Sequence, residues 1–314
     1  MPSYSGVWTL PAQYQARGLN NWPIVLSGDL GIFGGMGSSL AMNYVIIAST
    51  CNATSFGTLL SQISYGGGVS SSTRGVFAGG YAGGSQTSAM QYVTILTAGN
   101  ATSFGNLTVA RYGIASGSNS TRGIFGGGET ATYTDVIDYI TIATTGNATE
   151  FGYLTANRGS AGGVADTTRM CVGGGVQSGV VNQSVIQYVT IATTGNATTF
   201  GNLTEARRNL NCGFVSSATR GVFGGGYSSG ATATMDYITI ASTGNAISFG
   251  SLTNGIDQAA ASCSNLTRGL FAGNGSVNAI VYITIASASN STSFGQLITA
   301  GSSGVGVSNA HGGL

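Results

Sequence analysis

Lysine is absent from this chain of 314 residues, and all ten basic side chains are arginines. Charged residues make up 6% of the sequence and the formal net charge is +1. Binding nucleic acid by phosphate neutralisation needs a clustered basic surface, which ten scattered arginines do not supply. Histidine occurs once, at His311, so a Ser/His/Asp triad would have to be built on one residue near the C terminus. The four cysteines, Cys51, Cys171, Cys212 and Cys263, have no C-x-x-C spacing, which argues against a zinc site. No apolar run approaches 18 residues, so no membrane span is expected. No window carries a 3.6-residue apolar stripe, and helices should be almost absent.

What the chain has instead is repetition. The stretch Thr219–Thr253 reads T-R-G-V-F-G-G-G, a Ser/Gly/Ala/Thr loop, M-D-Y-I-T-I-A-S-T-G-N-A and S-F-G-S-L-T. The same order returns from Thr73, Thr121, Thr168 and Thr267, and more loosely from Asp29. Tyr44, Tyr92, Tyr139, Tyr188, Tyr237 and Tyr282 mark the period, in steps of 48, 47, 49, 49 and 45 residues. Phe56, Phe104, Phe151, Phe200, Phe249 and Phe294 keep the same beat.

Each repeat reads as four short strands rich in β-branched and aromatic residues and bounded by Gly, Asn, Ser and Thr. Four strands repeated six times predict an all-β, six-bladed β-propeller of four-stranded antiparallel blades. A solenoid would need polar end caps, and none is visible. The first strands, as in Gly113–Gly117 and Ala259–Cys263, are small enough to crowd around an axis. Asn-x-Thr triplets at Asn52, Asn100, Asn147, Asn196 and Asn290 fall in the turn between the third and fourth strands, where Asn tolerates positive φ.

The tail Gly301–Ser308 aligns with a lone first strand and is expected to complete blade one from the far end of the chain. The competing assignment uses Asn21–Leu26 for that strand and leaves the tail free. Residues 1–27 then form an N-terminal arm and 28–314 the propeller. The arm holds all three prolines, both tryptophans (Trp8 and Trp22), Tyr4 and Tyr14. It either packs beneath the ring or anchors in another subunit through those aromatics.

A Gly-Gly closing the second strand, a variable loop, a Tyr-bearing third strand and an aromatic fourth strand resemble a kelch-type repeat over residues 28–310. Phe-Gly stands where kelch repeats carry Trp. Copper oxidases on kelch propellers need more than one His ligand, so that activity is not expected here. The wording T-R-G-V-F-G-G-G followed by Y-I-T-I-A-S-T-G-N-A also resembles repeat proteins of tailed bacteriophages, marine cyanobacterial phages in particular. That resemblance implies a non-enzymatic structural or adhesive virion component: a tail fibre, appendage or surface decoration. It would sit on the particle surface, join other virion proteins or copies of itself, and serve host recognition. The alternative is a secreted or cell-surface carbohydrate-binding propeller.

Arg74, Arg122, Arg169, Arg220 and Arg268 recur at the start of the second strand, with Leu30 at that place in blade one. A guanidinium ring could bind anions. The simpler reading has each Arg donate to carbonyls of its own or a neighbouring blade. The nine acidic residues do not repeat in register, and glycosidase chemistry needs two positioned carboxylates. No catalytic, metal or cofactor site is therefore expected. The loops between second and third strands vary most and carry Tyr81, Tyr133 and Tyr227 among Ser, Gly and Asn. They form the candidate ligand face, with a cell-surface glycan as the candidate ligand.

Overall fold

The computed structural model describes residues 25–210, 214–256, 260–274 and 277–314. Six four-stranded antiparallel sheets surround an axis, as the repeat period predicts. Blade two comprises Gly67–Ser70, Arg74–Ala78, Ala89–Thr94 and Thr102–Asn106, innermost strand first. Blade three comprises Ala115–Ser118, Arg122–Glu129, Tyr133–Thr141 and Thr149–Tyr153. Blade four is Gly162–Ala165, Arg169–Gly173, Val185–Thr190 and Thr198–Asn202. Blade five is Val215–Ser216, Arg220–Gly224, Thr232–Thr239 and Ile247–Ile256, and blade six is Ala261–Ser264, Arg268–Asn274, Val277–Thr284 and Thr292–Gln296. One 3-10 turn, Met36–Ser38, is the only helical element among the described residues.

Blade one closes the ring. Its outer strands are Leu30–Gly34, Ala41–Ile46 and Thr54–Thr58, and its innermost strand is Val305–Ser308 from the C terminus. Gly31 faces Ser308 and Phe33 faces Gly306 in antiparallel register. Of the competing segment Asn21–Leu26 only Val25 and Leu26 are described, and both meet blade two: Val25 bridges to Thr97, and Leu26 donates its N–H to the Leu96 carbonyl at 2.8 Å. Trp8, Trp22, Tyr4 and Tyr14 lie outside the described residues.

The core is six wedges, each an apolar cluster between adjacent blades. In every blade the third-strand Tyr meets the fourth-strand Phe edge-on, with centroids 5.9 to 6.2 Å apart. The second-strand Phe33, Phe77, Phe125, Phe223 and Phe271 are buried completely or nearly so. Each such burial contributes about 1.5–3 kcal/mol.

Polar contacts join the blades at three radii. Near the axis, serine hydroxyls bridge to the neighbouring backbone: Ser116 Oγ donates to the Gly68 carbonyl and Ser264 Oγ to that of Ser216. At mid-radius, Arg74, Arg122, Arg169, Arg220 and Arg268 each donate to two successive carbonyls of the next blade, at 2.7 to 3.3 Å. Each guanidinium also covers its own blade's Tyr ring, 4.2 to 4.8 Å from the centroid. The sixth seam lacks that Arg because Leu30 takes its place. There Leu26 N–H binds the equivalent carbonyl, so main chain replaces a side chain.

At the rim, the turn asparagines behave differently from the expectation of positive φ. None of Asn52, Asn100, Asn147, Asn196 or Asn290 is left-handed. Each side-chain oxygen, and that of Asn245, instead accepts an N–H from the fourth strand of the preceding blade, at 3.0 or 3.1 Å. The exposed sheet edges are thereby covered. The Gly of each Phe-Gly pair makes room for this docking: a Cβ on Gly105 would overlap the Gly146 carbonyl of the next blade's turn. The Gly-Gly pairs have a separate cause. Gly79 and Gly80 are left-handed (φ 62° and 100°), and Gly80 N–H takes the Arg111 carbonyl of the next blade's incoming connection.

The two ends of the axis differ. On the loop face, backbone N–H groups hand on from blade to blade: Tyr65 to Ser303, Gly113 to Tyr65, Ser160 to Gly113 and Asn209 to Ser160. At the other end the tail turns inward and buries His311 against Phe214, with ring centroids 4.3 Å apart.

Candidate functional site

The fourth-to-first connections and the second-to-third loops meet on one face, bridged within single blades at Ser64–Tyr81, Tyr112–Glu129, Gly159–Val176 and Arg208–Tyr227. Four blades contribute to a cavity of about 440 Å³ there. Tyr65, Tyr81, Tyr112 and Tyr133 line it together with Glu129, Ser160 and Arg208. Tyr81 and Tyr133, both expected on the ligand face, therefore share one pocket. Tyr227 does not line it; its ring lies under the Arg208 guanidinium, 4.6 Å from the centroid.

Tyr65, Tyr112, Glu129 and Arg208 are functional candidates that sequence reasoning missed. Three of them sit in the fourth-to-first connections, where corresponding positions differ between blades: Ser64, Tyr112, Gly159 and Arg208. Variation among otherwise matching repeats was the available signal.

The tyrosines pack edge-on, Tyr81 to Tyr112 at 5.4 Å and Tyr65 to Tyr112 at 6.3 Å. Ser160 donates its hydroxyl to Glu129 at 2.6 Å. Burial first, and then the neighbouring Glu129, push the Tyr112 hydroxyl well above the usual phenol range. The Tyr133 hydroxyl is also raised, by burial and then by Glu129, with Arg208 pulling the other way. Both phenols are neutral donors at physiological pH. The pocket thus offers aromatic faces, hydroxyl donors, one carboxylate and one guanidinium.

Below this face lies a second arginine series that sequence reasoning did not single out: Arg111, Arg158 and Arg207, all buried. Arg111 pairs with Asp138 at 3.0 Å and Arg207 with Asp236 at 2.6 Å. In blade four Gln187 replaces the acid, and Arg158 bonds the carbonyls of Gly174 and Val185. Burial pulls Arg158 down to about 10, which leaves it charged at neutral pH. These cations tie each incoming connection to its blade and so hold the pocket's walls in place.

Cys171 and Cys263 are buried free thiols pushed up by burial, and Cys51 is free and half-buried. Cys212 lies outside the described residues. Among the described residues no three His, Cys, Asp or Glu side chains group as a metal site, and no helix is long and apolar enough to cross a membrane. No protein-family model matches the chain, and no curated protein matches it. The fold and its site define a six-bladed β-propeller with a lined pocket on its loop face.

Proposed function

We propose that the chain is a non-enzymatic recognition propeller of a tailed-phage particle, meeting a cell-surface glycan through the loop-face pocket. One observation carries the reading: four tyrosines from separate loops converge with Arg208 and Glu129 in a single cavity. Aromatic rings with a few convergent polar groups are what a small polar ligand with apolar faces requires. Among the described residues lining the cavity Glu129 is the one carboxylate, whereas glycoside hydrolysis uses two. The particle context rests on the resemblance of the T-R-G-V-F-G-G-G and Y-I-T-I-A repeats to phage proteins. Residues 1–27 would form the attachment arm, joining other virion proteins or further copies of the chain.

A secreted or surface-displayed lectin is the second reading. It is favoured by the pocket's lining, which four blades of one chain supply. Two measurements separate them. Binding of the intact chain to a glycan array, lost in a Tyr81→Ala/Tyr133→Ala variant, supports recognition by this face. Co-purification with capsid or tail proteins, lost on deleting residues 1–24 while Leu26 stays in place, supports the virion role. A chain that binds glycans without joining particles is the lectin. One that binds no glycan sinks the recognition role itself.

A further inference from the structure

The pocket carries two charges that do not neutralise each other. Among the described residues only two ion pairs form, Arg111–Asp138 and Arg207–Asp236, and Arg208 belongs to neither. Arg208 is held rather than paired. Its guanidinium lies over Tyr227, and Nη1 donates to Asn182 Oδ1 at 3.0 Å. Asn182 in turn donates to the carbonyls of Tyr227 and Ser228, at 3.2 and 2.8 Å. The blade-four hairpin Val176–Gln177/Val181–Asn182 and a blade-five loop thus fix one cation in advance of any ligand. Pre-organisation of this kind lowers the ordering cost of binding.

Glu129 is held by the Ser160 hydroxyl, which donates to Oε1 at 2.6 Å. A carboxylate has about four lone-pair sites, so that donor leaves it able to accept more. The Tyr133 hydroxyl feels both charges, which places it in the field of each. Tyr81 and Tyr112, packed edge to face, offer apolar surface beside them.

Ligand chemistry follows from this layout. A planar guanidinium matches a carboxylate in fork geometry. A neutral sugar would leave that fork without an anion, and a bare inorganic anion would face Glu129 with no donor to offer it. A ligand with a carboxylate on one side and hydroxyls on the other satisfies both walls. Its C–H face would lie on the tyrosines.

We propose that this pocket binds a carboxylated sugar, a uronic or sialic acid unit of a glycan, with the carboxylate on Arg208 and hydroxyls on Glu129. The inference rests on the recognition reading above and narrows it to one ligand class.

Calorimetric titration of the intact chain with digalacturonic acid and sialyllactose, against lactose and galactobiose as neutral partners, tests it. At least one acidic sugar should bind about tenfold or more tighter than its neutral partner, the scale of one charge-assisted hydrogen bond. Arg208→Gln should remove that preference, and raising salt from 50 to 500 mM should weaken acidic-sugar binding in the unaltered chain, about tenfold. The salt series needs no variant, so it holds even where Arg208→Gln folds poorly. Neutral sugars binding as tightly as acidic ones, or acidic-sugar binding indifferent to both salt and Arg208→Gln, would overturn the inference while leaving glycan recognition standing. No binding of acidic sugars by a chain that binds neutral glycans on an array has the same consequence. Silence in titration and on the array alike overturns the recognition reading with it.

Discussion

His311 provides a stability switch whose size can be worked from its surroundings. The ring is buried at the end of the axis away from the loop face. Its Nε2–H donates to the Ser70 carbonyl at 3.0 Å, and its Nδ1 accepts the Gly313 N–H at 3.1 Å. Both nitrogens are thus used by the neutral ring, and a proton on Nδ1 would face a donor. Burial, partly opposed by the Ser70 bond, lowers His311 from 6.5 to about 4. Because the folded value lies below the unfolded one, the stabilisation is complete above 6.5 and is lost as pH falls toward 4. Linkage gives a loss of about 2 kcal/mol between pH 8 and pH 5, and of about 3 kcal/mol below both values. For a chain of this length 2 kcal/mol corresponds to about 3 °C in melting temperature. Urea unfolding at pH 8 and pH 5 should show that loss in the wild type. His311→Gln, which can still donate to Ser70 and does not titrate, should remove it. Parallel pH dependence in the two proteins would refute the account of the plug.

Other substitutions read the seams. Gly105→Ala places a methyl on the Gly146 carbonyl and should lower stability by about 1–3 kcal/mol or more, whereas Gly146→Ala, with open space around it, should be far milder in thermal denaturation. Asp138→Ala leaves Arg111 charged and unpaired in a fully buried site and should cost about 3–5 kcal/mol in chemical denaturation. Arg122→Ala removes two carbonyl contacts and the cover on Tyr139, with an expected loss of about 1–2 kcal/mol at a partly exposed seam. Arg122→Lys should not restore it, because a single ammonium cannot both stack on the ring and span the two carbonyls.

The fold was legible because the repeats print their period in residues with fixed jobs: Tyr and Phe for the wedge, Gly-Gly for the left-handed turn. The closing strand was legible too, since the tail from Leu297 matches the first-strand stretch from Leu107. That the repeating arginines donate to neighbouring-blade carbonyls was legible as well, but which carbonyls they reach was not. The partners are 65 to 72 residues ahead for four of the arginines and 220 or 221 residues back for Arg268, and a carbonyl has no sequence signature. The turn asparagines misled for a related reason: a turn-forming residue type was read locally, while its side chain works across the seam. The pocket was half visible. Tyr81 and Tyr133 stand out in variable loops, but Tyr65, Tyr112 and Arg208 occupy connections whose convergence is a property of four blades together. Glu129 ends a second strand and gave no pattern to follow.

The closed ring depends on the C-terminal strand completing blade one, and native-state hydrogen exchange on the intact chain measures that pairing directly. Peptides covering 303–314 and 30–46 should exchange as slowly as those from blades three and four, in step with global unfolding. Exchange of the tail within seconds, while the remaining blades stay protected, would contradict the closed ring.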